Sequence, residues 1–237
     1  TRVGRNGGLS AAGGVKRVDL SGMTVMPALI NTHGHPGFQR GLTYTKDNYK
    51  RETIVDDLNR ALYFGVAVVM SQGIEIGDVM HGIRADQAAG TLGGARLLFA
   101  GRGIGAPNAG PGGAAYAGIA YEVTTDEQIR RAVREQAARK VDTIKIWVDD
   151  RAGRAPRLTP ALFRAAIEEG RRLGLTVTAH VFYHDDAAAL AGAGASAFAH
   201  LVRDKVMDDA LIASMNKNKV YVMPNIGAPE RSTHGAP

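Results

Sequence analysis

Two histidines separated by a single glycine, His33 and His35, close an apolar run that reads VMPALINTHGHP from Val25 to Pro36. On an extended strand, residues two apart face the same side. Both imidazoles can therefore reach one point, and Gly34 leaves the gap between them uncrowded. Neutral imidazole binds zinc and other first-row divalent metals. Taken alone, such a pair reads better as a turn with two exposed histidines. Three more positions bear on the choice: Lys145 within TIKIW, His180 at the end of LTVTAH and His200 at the end of ASAFAH. One core histidine needs no ligand role, but separate apolar runs that each end in histidine weaken that reading.

Lys145 sits between Ile144 and Ile146, where a strand buried on both faces is expected. Lysine is rarely fully buried, and one alternative is a side chain that snorkels to the rim. Desolvation favours the neutral amine. A neutral amine can combine with carbon dioxide to give a carbamate, a carboxylate on a long stem that could bridge two divalent cations.

Positioning these groups requires a repeating scaffold. Strands are expected at 24–32, 66–71, 95–100, 143–148, 175–180, 195–200 and 219–224. Helices are expected at about 52–64, 78–89, 125–140, 160–173, 185–193 and 204–216. The strands are short, apolar and non-alternating, as in a parallel sheet covered on both faces. Thr124-Thr125-Asp126 and Thr159-Pro160 supply helix starts, and Gly174 supplies a stop. Strand–helix–strand repeats imply right-handed parallel crossovers, in either an open doubly wound sheet or a closed barrel. Seven strands fall one short of the eightfold barrel, so the chain is expected to stop before the fold is complete. In a barrel, all carboxyl ends of the strands open on one face, where the histidines and Lys145 would meet.

The ordered set carried by VMPALINTHGHP, TIKIWVDD, VTAHVF and FAHLVRD resembles the metal-dependent amidohydrolase superfamily, and among its members the imidazolonepropionase-like and prolidase-like branch. The resemblance runs from about Val18 to Pro224. It implies a distorted (β/α)8 TIM-type barrel over residues 24–237, its last strand missing. Residues 1–23, with a short strand at Val15 to Leu20, would be the remnant of an N-terminal β-sandwich. It implies two divalent ions, by default zinc, with His33 and His35 on the first, Lys145 bridging as its carbamate, and His180 and His200 on the second. Lys145 and His200 are the positions it assigns to catalysis. The implied reaction is attack of a metal-bound hydroxide on an amide, cyclic amide or peptide-like carbonyl. The superfamily's proton-transferring aspartate ends an eighth strand, and no residue here is nominated for it. The alternatives are a mononuclear deaminase or imidazolone-ring hydrolase, and a metal-binding barrel without turnover.

Other features fit around this reading. Tyr183 and Arg203 follow two of the ligand strands and are candidates for substrate contact, against capping and ion-pairing roles nearby. His184 shares that description, whereas His81 and His234 read as bystanders. Gly101, Gly103 and Ala106 spell GxGxxA, but a dinucleotide fingerprint needs a helix to open at once. Pro107, Pro111 and further glycines argue instead for a mobile loop over the pocket, with Asn108 or Tyr116 near substrate. No GxSxG elbow is present.

The chain has 237 residues, 45% of them hydrophobic, and no cysteine, so a metal must be held by nitrogen and oxygen. Its net charge of +6 comes from 29 Lys and Arg against 23 Asp and Glu. Arg130, Arg131, Arg134, Arg139 and Lys140 interleave with Glu127 and Glu135, a solvated helix face and not a phosphate track. No apolar stretch approaches the roughly 20 residues of a membrane span. The expected partner is a small molecule, with neither nucleic acid nor membrane, and a homo-oligomer is compatible. The chain starts at Thr1 with no secretory leader in view, which leaves its compartment open.

Overall fold

A computed structural model describes residues 13–112 and 116–225. Helices and parallel strands alternate through most of it. The elements are β1 (Leu29–Gly34), β2 (Gln39–Arg40), β3 (Thr43–Tyr44), α1 (Arg51–Tyr63), β4 (Val66–Ser71), α2 (Val79–Ala88), β5 (Arg96–Phe99), β6 (Ile104–Gly105), β7 (Tyr121–Glu122), α3 (Asp126–Ala138), β8 (Ile144–Val148), α4 (Pro160–Arg172), β9 (Val177–Val181), α5 (His184–Ala193), β10 (Ala197–Ala199), α6 (Asp209–Asn218) and β11 (Tyr221–Met223). They form a parallel sheet ordered β1-β4-β5, a second ordered β11-β10-β9-β8-β6-β7, and the antiparallel hairpin β2-β3. The architecture is an α/β TIM-barrel-like fold, curled so that the carboxyl ends of β1, β9 and β10 share one face.

Local sequence explains the elements. All five residues of β8 and all five of β9 are buried, which accounts for their apolar runs. The register pairs Lys145 with Thr178 and Trp147 with His180, and Ala199 with His180 on the next strand. Side chains from neighbouring strands therefore come in layers facing the barrel interior. Thr125 caps α3 in a reciprocal capping box with Gln128. Thr159 caps α4, whose first turn contains Pro160. Ile129, Val133, Phe163 and Ile167 are buried between these helices and the sheet; burying each such side chain contributes about 1.5–3 kcal/mol.

The structure corrects several expectations. The first strand begins at Leu29, not Thr24, because pairing starts where Leu29 meets Val66, and Pro27 just before has no N–H to offer a ladder. Val15 to Leu20 is not a strand, and its apolar side chains are exposed. The expected strand at 95–100 is β5, which pairs with β4, and a further two-residue strand that was not expected, β6, follows it and pairs with β8. The last helix starts at Asp209 rather than Asp204, since Asp208 is the cap that accepts from the Leu211 N–H. No helix opens after Gly101, Gly103 or Ala106 among the described residues. In the segment expected to be a loop over the pocket, Ala106 and Ala109 are buried, and Pro111 and Gly112 line a cavity at the carboxyl ends of the strands. Arg130, Arg131, Arg134 and Arg139 all pair with carboxylates, as on a solvated helix surface. His234 lies outside the described residues, as does most of the segment expected to form a sandwich remnant. No helix among the described residues is long and apolar enough to cross a membrane.

Candidate metal centre

Four histidines and one lysine meet in one cavity of about 140 Å3, lined by His33, His35, Lys145, His180 and His200. A larger cavity of about 510 Å3 by Arg40, Glu52 and Asp56 has no such chemistry. The His33 and His35 Nε2 atoms stand 3.2 Å apart. Two nitrogens on one tetrahedral zinc stand roughly 3.3 Å apart, given its N–Zn bond lengths, so this pair suits a shared cation. The ring of His200 is 4.9 Å from that of His33 and 4.9 Å from that of His180. His200 reaches this position with φ at 90°, a left-handed backbone uncommon outside glycine. Its N–H is held by the Met223 carbonyl at 2.9 Å.

The imidazoles are neutral at physiological pH. Burial, aided by the Lys145 charge, pushes His35 down to about 3. Burial first, then the charges of His180, Lys145 and Arg203, takes His200 to about 3. Burial drives His33 well below the usual range, reinforced by Lys145 and the other histidines. At His180 burial outweighs the Asp149 hydrogen bond and leaves the group at about 4. Neutral imidazoles present lone pairs, as metal ligands must. The Nδ1 atoms of His33, His35 and His200 are buried without a partner among the described residues.

Lys145 is 1% exposed, and its Nζ has no hydrogen-bond partner among the described residues. Burial brings it down to about 7, against the opposing pull of Glu75. Glu75, also buried, is pushed up to about 7 by burial, against the hydrogen bond from the Gly73 N–H. Gly73 lets the stem of Lys145 pass. Its φ is 93°, and a Cβ there would lie 2.6 Å from Lys145 Cγ.

Two charged residues at this site were missed in the sequence, one behind the cavity wall and one in it. Asp149 Oδ2 accepts from His180 Nε2 at 2.9 Å, leaving Nδ1 as the lone-pair nitrogen. Carboxylate–histidine pairs of this kind orient ligating imidazoles. Burial opposes ionisation of Asp149, but the His180 hydrogen bond and the Arg151 N–H hold it at about 2. The alternation of β8 could have revealed it, because 145, 147 and 149 share a side. The other missed residue is Arg151, which lines the same cavity.

The remaining candidates lie elsewhere. Tyr183 donates to Asp150 Oδ1 at 2.8 Å, with Arg157 stacked on its ring. Arg203 is exposed, 5.7 Å from the Phe182 ring centre. The neighbouring Asp204 carboxylate accepts from the His184 N–H. His184 opens α5 beside Asp208, and His81 bonds the Arg139 carbonyl. Tyr116 hydrogen-bonds Tyr44, its ring 6.2 Å from His35. Among the described residues, no three His, Cys, Asp or Glu side chains close into a ready ligand shell.

The fold is that of the TIM-barrel amidohydrolases. A Xaa-Pro dipeptidase, crystallised with methionine in its active site, superposes with a TM-score of 0.72 at 22% identity, covering 88% of this chain and 55% of the dipeptidase. Molinate hydrolase gives 0.76 at 20% identity, over 94% of this chain and 56% of the hydrolase. A crystal structure of an amidohydrolase gives 0.74 at 21% identity, over 97% and 62%. No family model matches the chain. Uncharacterized proteins of Mycobacterium bovis and Mycobacterium tuberculosis are 31% identical over 135 residues, covering 55% of this chain. The chain spans about a third of the length of those curated relatives, the matched share being 34%.

Proposed function

We propose that this chain carries the metal-binding part of a hydrolase of the amidohydrolase superfamily, which cleaves an amide, cyclic amide or peptide-like C–N bond of a small molecule. The observation that carries the proposal is the convergence of four neutral imidazoles and one buried, unpartnered amine on a single cavity. The shared fold with a Xaa-Pro dipeptidase, a molinate hydrolase and an amidohydrolase supports it.

In this reading His33 and His35 hold one divalent cation, and His180 and His200 a second. Lys145 bridges the two as its carbamate. The donor set suits zinc, because it is entirely imidazole nitrogen and carbamate oxygen. Such ions, when bound, lower the pKa of water and polarise a carbonyl. The protein's own contribution is to keep the imidazoles neutral by burial, to orient His180 through Asp149, and to hold the Lys145 amine where desolvation favours its reactive neutral form.

The test is elemental analysis of the protein expressed with bicarbonate, alongside NMR of the chain after labelled bicarbonate uptake and a screen of amides and dipeptides. About two divalent ions per chain, a carbamate signal and turnover are the expected results. One ion with unmodified Lys145 defeats the bridged site and favours the mononuclear deaminase or ring hydrolase. Bound metal without turnover on the full-length protein defeats the enzyme reading and leaves a metal-binding barrel.

A further inference from the structure

We propose that Arg151 is the receptor for an anionic group, a carboxylate, on the molecule that enters this cavity. The proposal rests on the hydrolase reading and narrows its substrate to molecules that carry a free carboxylate. Arg151 lines the cavity together with the four histidines and Lys145. Its Nη2 is buried and has no partner among the described residues. A guanidinium carries five N–H donors in a planar fork matched to carboxylate, and a donor buried without an acceptor is rare in folded proteins. The cavity lining contains no Asp or Glu among the described residues.

The carboxylate that favours the Arg151 charge is Asp149, and both of its oxygens are already engaged. Oδ1 accepts the Arg151 backbone N–H at 2.9 Å, and Oδ2 accepts from His180. Asp149 thus fixes the backbone of Arg151 and the ring of His180 with one side chain, which ties the anion receptor to a candidate metal ligand. Successive left-handed residues, Arg151 at 57° and Ala152 at 59°, turn the chain here. The guanidinium packs on Gly112, where a Cβ would stand 2.9 Å from Nη1. Arg203 is exposed and outside the lining, and its charge adds to the positive field at Arg151.

The experiment is calorimetric titration of the full chain with N-acetyl-L-alanine and with its neutral amide, N-acetyl-L-alaninamide. Metal content and turnover are measured on the same samples, and thermal melting checks the fold of each variant. The wild type should bind the acid roughly tenfold more tightly than the amide, as expected for a charge-assisted fork. Arg151→Gln should bring the two within about twofold of each other with amide affinity unchanged, and Arg151→Lys should restore part of the preference. A preference that survives Arg151→Gln overturns the proposal, as does its absence from the wild type. Loss of the preference in Arg203→Gln instead of Arg151→Gln also overturns it. An Arg151-dependent preference in protein without metal or turnover would leave the receptor standing and sink the hydrolase reading. Turnover without that dependence would do the reverse.

Discussion

Asp149 and His180 sit at the carboxyl ends of adjacent parallel strands, and their side chains meet at 2.9 Å. This contact makes the His180 tautomer a property of the scaffold. Asp149→Asn should keep the fold and weaken metal binding by about 10–100-fold, the usual cost of losing a carboxylate behind a ligating imidazole. Competition against a chromophoric chelator reads it out. Unchanged affinity would mean that His180 needs no such support.

Lys145 costs the metal-free fold stability, because its amine is buried without a partner. Replacement by the unbranched apolar side chain of methionine, Lys145→Met, should stabilise metal-free protein by about 1–3 kcal/mol. The same variant should lose most bound metal. Denaturant titration in chelator checks the first effect and elemental analysis the second. A destabilised variant with full metal content would contradict both.

Gly73 and Gly90 make a matched pair of probes. Both have left-handed backbones, at 93° and 73°, but only Gly73 has a neighbour where a Cβ would be placed. Gly90→Ala should cost about 1–2 kcal/mol for its backbone alone. Gly73→Ala should cost more, by about 1–3 kcal/mol for the contact with Lys145. Equal losses in urea titrations would show that Lys145 yields freely.

Acid should unfold the metal-free protein through its histidines. In the folded chain His35, His180 and His200 are depressed to about 3, 4 and 3, against about 6.5 when unfolded. Between pH 6.5 and about 3 the unfolded state therefore binds more protons. Stability falls as pH drops through that window. Glu75, raised to about 7, acts in the opposite direction between its ordinary value of 4.5 and 7, as do Asp57 and Asp186, which burial raises above their ordinary value of 3.8, but the depressed histidines span the wider window. Denaturation free energies measured in chelator from pH 7 to 4.5 should decline toward acid. A flat profile would mean that the imidazoles are solvated.

Much of this was legible in the chain because apolar runs buried on both faces announce parallel strands. Val66–Ser71 was read to the residue, and four histidines and Lys145 were brought to one cavity as expected. What periodicity could not convey was the partner of each edge. Val25 and Met26 look like strand, but pairing begins only at Leu29. Beyond Gly101 to Gly103 the short strand β6, unannounced by any apolar run, joins the other sheet by pairing with β8, a partner far along the chain. Arg151 was hidden for a similar reason. WVDDRAG reads as a strand followed by a turn, and only its left-handed backbone returns the guanidinium to the pocket.

His33 lies on β1, and His35 just past its end; this strand is hydrogen-bonded only to β4 among the described residues, with Leu29 53% and Ile30 62% exposed. Lys145 and His180 belong to the other sheet, on strands flanked on both sides. The centre is therefore divided between two sheets. Amide protons of β1 should exchange with solvent sooner than those of β8 and β9. A cation gripped by both halves would act as a clasp, slowing that exchange in proportion to its occupancy. Ion concentration would then be written into the protection pattern of a single edge strand.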